Sequence, residues 1–354
     1  MKTYKNLYPQ VCSFENLYLA YKAAARRKRG RPDVARFEMN LPENLLQLEE
    51  ELVSRTYRPS PYYNFRITHP KPRLISAAPF WDRVVHHALV RQIEPIFERR
   101  FIHDSYACRV DKGTHRALDR CTYFARRYRY VLRCDIVHFF PSIDHSILRA
   151  ILARSIAGDD TLWLIDQILD SGAGVLSGEY EMQWFPGDNL LAVERPRGLP
   201  IGNLTSQFWA NCYLDLLDQF VKRELKCLAY LRYCDDSLLF ADHKHTLWLW
   251  KGEIADFLQT LRLRLHQRES TVFPVSAGIP FLGFHVYPDY RRLKRHNGVG
   301  FQRRFRGLRD AYATGAISQE QLEASVRGWL AHAAHGDTWG LRRALLSSHT
   351  IPRR

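Results

Sequence analysis

No apolar run in the sequence approaches the roughly 18 residues that a membrane span needs. The start, MKTYKNLYPQ, lacks an apolar h-region, so no secretory signal is expected and a cytoplasmic location fits. Cysteine is scarce and scattered, with seven residues at Cys12, Cys108, Cys121, Cys134, Cys212, Cys227 and Cys234. The count is odd and no C-x-x-C occurs, which argues against a zinc site and against a disulfide framework. Reduced thiols fit best. No internal repeat or low-complexity block stands out.

What is abundant is positive charge. Against 37 Asp and Glu stand 52 Lys and Arg, a net charge of +15. A surplus of this size favours a polyanionic partner, most often nucleic acid. A soluble basic protein with no such partner is the bland alternative. The 354 residues, 46% hydrophobic and 13% aromatic, suffice for a large core and two or three subdomains.

Periodicity sets out the elements. RRKRGRPD (Arg26 to Asp33) reads as a basic loop or helix end. The spacing of Trp81, Val84, Val85, Ala88 and Leu89 predicts a helix. YVLRCDIVHFF (Tyr130 to Phe140) reads as a strand running into a turn, and Asp144 opens a second helix. Between Asp159 and Pro200 the pattern weakens, and SGAGVLSGEYEMQWFPGD (Ser171 to Asp188) reads as an irregular excursion with hairpin character. Leu204, Phe208, Cys212, Leu216 and Phe220 then form one i, i+4 row of a long helix. LAYLRYCDDSLLFAD reads as strand, tight turn, strand. His245 to Leu261 is read as helix and FLGFHVYP as one short strand. From Pro288 the composition turns densely basic, and Ser318 with Gln321 forms a capping-box pattern at a further helix.

The stretch RYCDDSLLF places Asp235 beside Asp236 in an otherwise apolar run. Consecutive strand residues face opposite ways, so both approach one site only from a hairpin turn. A third carboxylate, Asp135, ends the strand VLRCD. Unpaired carboxylates repel and lose hydration. A cation between them resolves both problems, and oxygen ligands with no nearby His or Cys suit Mg²⁺. Two such ions roughly 4 Å apart would activate a 3′-hydroxyl and stabilise departing pyrophosphate, with Mn²⁺ as a substitute. A solvated Asp-Asp turn and a strand-end cap are the plain alternatives.

The chain resembles the reverse transcriptases. YCDD (Tyr233 to Asp236) matches their Y-x-D-D box, and DIVHFFPSID (Asp135 to Asp144) is similar to their first palm motif. RGLPIGNLTSQFWANCYLDLLD (Arg197 to Asp218) is similar to the next. KPRLISAAPFWDRVVHHAL and SYACRVDKGTH resemble finger motifs, and GIPFLGF the primer-grip strand. The resemblance implies an α+β right-hand polymerase: fingers, a palm with antiparallel sheet and helices, and a small helical thumb. The corresponding divisions are a mostly helical, basic extension (1–65), fingers and palm (66–288), and basic thumb (289–354).

By this resemblance Asp135 and Asp235 bind the metals, with Asp236 beside them and the Ile136 carbonyl assisting. Phe140 matches the steric gate against a ribose 2′-hydroxyl, with Phe139 as core. Arg73 grips the incoming triphosphate, and Lys71 is a weaker nucleotide contact. Arg109 and Lys112 are assigned to the template backbone or to plain surface charge. Arg292, Arg295, Arg303 and Arg304 are assigned to duplex phosphates. His332, His335 and Asp337 read as helix packing rather than a metal site.

Many reverse transcriptases carry Gln before the Gly of the LPxG box. Here Ile201 precedes Gly202, and Ser206-Gln207 closes the segment. That pattern resembles reverse transcriptases of diversity-generating retroelements, which copy template RNA into cDNA with errors at adenines. An apolar wall discriminates less sharply than polar readout, so Ile201 is expected to loosen base selection. Gln207 either touches the template or caps its helix. The implied partners are template RNA, primer and cDNA, dNTPs and a small basic helical accessory protein. A stand-alone group II intron-like or defence-associated enzyme is the alternative. A catalytically silent RNA-binding scaffold is the second, and retention of all three aspartates speaks against it.

Overall fold

The computed structural model describes residues 3–68 and 72–347. The chain opens with helices α1 (Tyr8–Cys12), α2 (Phe14–Ala25), α3 (Pro32–Met39) and α4 (Leu41–Val53). Ser13 caps α2 by accepting the Asn16 N–H. One face of each longer helix is apolar, so Leu17 and Tyr21 of α2 and Leu45 and Leu48 of α4 are buried. Strands β1 (Tyr63–Ile67) and β2 (Arg73–Ala77) form an antiparallel ribbon. Helices α5 (Phe80–Glu98) and α6 (Thr114–Ala125) follow.

The central sheet is built from β3 (Tyr130–Cys134), β4 (Tyr230–Tyr233), β5 (Asp236–Ala241) and β6 (Thr271–Pro274), in the order β4-β5-β3-β6. Every neighbouring pair is antiparallel. Between β3 and β4 run α7 (Phe139–Ser142), α8 (His145–Ala153), α9 (Asp159–Gly172) and α10 (Leu204–Arg223); α11 (Lys244–Thr260) follows β5. Strand alternation sorts the side chains into two layers. Leu132, Cys134 and Leu239 join a core that includes α8, α10, α11 and the amino-terminal helices. Val131, Leu238 and Phe240 face a second core with Leu118 and Phe124 of α6.

Past the palm, β7 (Ile279–Phe281), β8 (Phe284–Val286) and β9 (Arg291–Leu293) form a small sheet that leads into α12 (Arg295–Ala313), α13 (Gln319–Ala333) and α14 (Trp339–Ser347). These helices have their own core, in which Phe301 stacks on Trp329 at 4.2 Å. The capping box of Ser318 and Gln321 is present. Arg291 ties the junction together: it donates to Thr122 Oγ1 at 2.8 Å and to Asp119 at 2.7 Å on α6.

Two expectations are corrected. The stretch after Asp159 begins as a regular helix, α9, with Leu162, Ile165 and Ile168 buried; only its continuation is irregular, with short 3₁₀ turns and no hairpin strands. FLGFHVYP is not one strand. Leu282 and Gly283 both take positive φ, 42° and 89°, which is the turn geometry of a tight hairpin between β7 and β8. The boundaries placed at 65 and 288 fall inside β1 and inside the β7–β8–β9 sheet. Among the described residues, no helix is long and apolar enough to cross a membrane.

Candidate active site

Strands β4 and β5 pair with Tyr233 opposite Asp236, which leaves Cys234 and Asp235 as a two-residue turn. Cys234 takes φ 57°, a left-handed conformation unusual for a residue with a Cβ. What holds it there lies beneath. Arg232, 1% exposed, donates to the Cys234 carbonyl at 3.0 Å and to Asn211 at 3.2 Å. Its other donors reach both carboxylate oxygens of buried Asp218, at 2.7 and 2.6 Å. Burial works against the charge on Arg232, yet Asp218 holds its pKa above the ordinary value. This pair was not recognised in the sequence; an arginine inside the apolar strand YLRYC is the signal that marks it.

In the β3–β5 ladder Cys134 faces Ser237, so Asp135 and Asp236 stand one position further on at the same end. There the chain of β3 turns aside. The Asp135 N–H donates to Ser270 Oγ at 3.1 Å, and its carbonyl accepts the His266 N–H at 2.8 Å. The Val137 N–H donates to the Arg264 carbonyl at 2.9 Å. Ile136 and Leu265 thus face each other as a pair without mutual hydrogen bonds. In such a pair the Ile136 N–H and carbonyl point the other way, toward β5.

The carboxylates perturb one another. Asp135 is pushed up to about 6, by burial first and then by the charges of Asp236 and Asp235. Asp235 is also raised, by burial and then by Asp236, while Arg73 works against the shift. Arg133, on β3, donates to Asp236 at 3.1 Å. Two arginines, Arg133 and Arg73, are therefore set against three acids. Among the described residues no three His, Cys, Asp or Glu side chains close into a metal cage. An open, oxygen-only set with one or two carboxylates is what Mg²⁺ uses when substrate phosphates and water complete its shell. The residues present fit such an ion.

The surrounding expectations fall into place unevenly. Phe139 is buried and Phe140 half-buried, edge-on at 5.3 Å. The Phe140 carbonyl accepts the Leu199 N–H at 2.9 Å, which ties this turn to the LPIG segment. Ile201 is half-buried and its carbonyl accepts the Ser76 N–H of β2 at 2.9 Å. Gly202 has φ +119°, and a Cβ there would lie 3.0 Å from Ile75 Cγ2, so a side chain is disfavoured on both counts. Asn203, missed in the sequence, straps the segment down: it accepts the Ala78 N–H and donates to the Ser76 and Pro200 carbonyls. Gln207 is exposed and its side chain does not cap α10. Arg73 is exposed at the start of β2, and Lys71 lies outside the described residues.

Arg109 is a correction. Its side chain is 6% exposed, bound to Glu98 through Nε and Nη2 and to the carbonyls of Ile102 and Ser105 through Nη1. It staples the loop after α5, with its guanidinium committed to these internal partners. Lys112 is half-buried and donates to the His103 carbonyl. Arg292, Arg295, Arg303 and Arg304 are exposed on β9 and α12. His335 stacks on His115 of α6 at 3.4 Å, a packing contact between the carboxyl-terminal helices and α6.

A family model described as reverse transcriptase (RNA-dependent DNA polymerase) matches residues 67–286. Protein YkfC of Escherichia coli (strain K12) is 24% identical, covering 70% of this chain and 72% of that protein. Group II intron-encoded protein LtrA of Lactococcus lactis subsp. cremoris is 26% identical over 51% of this chain, which spans 28% of LtrA. Among solved structures, apo telomerase from Candida Tropicalis, truncated from its C-terminal domain, superposes with a TM-score of 0.48 at 13% identity, covering 69% of this chain and 59% of that one.

Proposed function

The chain belongs to the reverse transcriptase family of RNA-directed DNA polymerases, and on that premise we propose that it copies template RNA into cDNA at the Asp135–Asp235–Asp236 cluster. The observation that carries this reading is the excess of carboxylate over cation at the open end of β3 and β5. A pair of Mg²⁺ ions, when bound, would supply Lewis acidity toward the 3′-hydroxyl and the leaving phosphates. Asp135 and Asp235 hold that charge, and the Ile136 carbonyl adds a neutral oxygen. Arg73, at the start of β2 and within the field of Asp235, is suited to the triphosphate. Phe140 closes the sugar pocket to a 2′-hydroxyl.

The subtype proposed is the diversity-generating one. Its support is Ile201, an apolar side chain next to a glycine that a Cβ would crowd. Such a wall gives weak discrimination among bases. A small basic helical accessory protein belongs to the same reading. The similarity to LtrA favours a second reading, a group II intron-like enzyme. Extension of oligo(dT) on poly(rA) with Mg²⁺ tests the polymerase: activity is expected in the wild type and absent in Asp235→Ala, and equal activity in both rejects the site. Ile201→Gln is expected to change misincorporation opposite template adenine; an unchanged error spectrum removes the error-prone subtype.

A further inference from the structure

The basic run RRKRGR between α2 and α3 does not behave uniformly. Arg26, Arg27, Arg29 and Arg31 are exposed, whereas Lys28 is half-buried. Among the described residues no hydrogen bond or ion pair engages its ammonium, and burial lowers its pKa, followed by the charges of Arg83 and Arg31. Asp33 offsets this only in part, so the half-buried ammonium and Arg83 leave a local surplus of positive charge that an anion would balance.

The space it enters is a cavity of about 190 Å³ lined by Lys28, Arg83, His86, His87, Gly202 and Gln207. His86 is 1% exposed, and neither ring nitrogen has a hydrogen-bond partner. Burial holds the imidazoles of His86 and His87 well below their usual range, so His86 is a neutral ring with a free N–H. Asp33, 3.8 Å from Arg83 Nη1, offsets part of the positive charge from outside. The volume equals roughly six waters at about 30 Å³ each, and lies below the roughly 300 Å³ at which pockets for drug-sized ligands begin. It suits a single phosphate group and is too small for a nucleoside.

We propose that this cavity is a phosphate-binding pocket, made jointly by the α2–α3 turn, α5 and the Gly202 loop, and that its ligand is a backbone phosphate of the bound RNA. The choice of RNA over a free anion rests on the polymerase reading, because Gly202 and Gln207 belong to both the pocket and the candidate nucleotide site. The pocket also gives the amino-terminal helices a part in substrate binding, through Lys28.

The test uses the full chain and reads binding without turnover. Anisotropy of a labelled RNA template annealed to a DNA primer is measured across salt for wild type, Lys28→Gln, Lys28→Arg and the exposed neighbour Arg26→Gln. Inorganic phosphate is added separately in a thermal-shift assay. Lys28→Gln is expected to weaken RNA binding roughly tenfold or more, as loss of a charge-assisted hydrogen bond does, and to flatten the salt slope by about 0.7–0.9. Lys28→Arg is expected to restore most of the affinity, and Arg26→Gln to change it less than about twofold. Phosphate is expected to raise the melting temperature of wild type more than that of Lys28→Gln. If Lys28→Gln weakens RNA binding no more than Arg26→Gln, the proposal is overturned, including the case where free phosphate still binds. Retained RNA binding that depends on Lys28 upholds the pocket whether or not the chain polymerises, so the two readings fail separately.

Discussion

Two acidic groups near strand β4 are treated in opposite ways. Asp218 meets Arg232 in a buried, bidentate pair that neutralises both charges inside the protein. A turn away, Asp135, Asp235 and Asp236 outnumber the arginines near them, Arg133 and Arg73, and burial, followed by their mutual repulsion, raises the pKa values of Asp135 and Asp235. The first arrangement is complete without a ligand and serves the backbone, since the same Arg232 pins the Cys234 carbonyl. The second is incomplete, and its deficit is positive charge. A stable site and a working site are thus distinguished by whether the acids have been answered from within.

Substitutions should separate them. Asp135→Asn and Asp235→Asn are expected to lower primer extension by roughly 10³-fold, the scale of several kcal/mol of charge stabilisation. Their melting temperatures should stay level or rise, because repulsion is removed. Asp218→Asn should do the reverse in origin: it strands a buried guanidinium and costs about 3–5 kcal/mol of stability, read by urea unfolding. Equal destabilisation by all three would break the comparison.

Proton linkage gives a second, smaller effect. The folded pKa of Asp135, about 6, lies above its ordinary value of 3.8. The metal-free native state therefore binds the proton more tightly than the unfolded chain does. Stability should fall as pH rises from about 4 to about 6 and then level off, and Asp135→Asn should remove that slope. The Mg²⁺ requirement should sharpen in parallel, with the half-saturating concentration climbing as pH drops below about 6. A flat Mg²⁺ requirement between pH 5 and 7 would contradict the assignment of Asp135. The smallest change is expected from Arg133→Gln, which removes one of the two arginines set against the trio. Mg²⁺ binding, followed by calorimetry, should tighten roughly two- to fivefold, the scale of a partly exposed ion pair.

Much of this arrangement is legible in the sequence, for physical reasons. The i, i+4 rows of α10, the apolar flanks of Cys234–Asp235 and the Ser318 capping box each carry a local signal. Other features have none. Leu282–Gly283 is a turn with an apolar first residue, so it reads as a continuing strand. Helix α9 runs into a long irregular segment that dilutes its period. Arg109 reads as surface because arginine in a loop usually is; its carbonyl and Glu98 partners are assembled only by the fold. The inward turn of Lys28 within a run of exposed arginines is equally invisible to composition.

The amino-terminal helices share one apolar interior with the central sheet: Val11, Leu17 and Leu45 belong to the same cluster as Leu132 and Trp209. The front of this polymerase is therefore not a detachable module. A recombination event that exchanged it would have to carry matching palm side chains, or leave both halves with unmatched oily faces. The carboxyl-terminal helices, with an interior of their own, are the part that evolution or an engineer can replace more freely, at the seam just after β9.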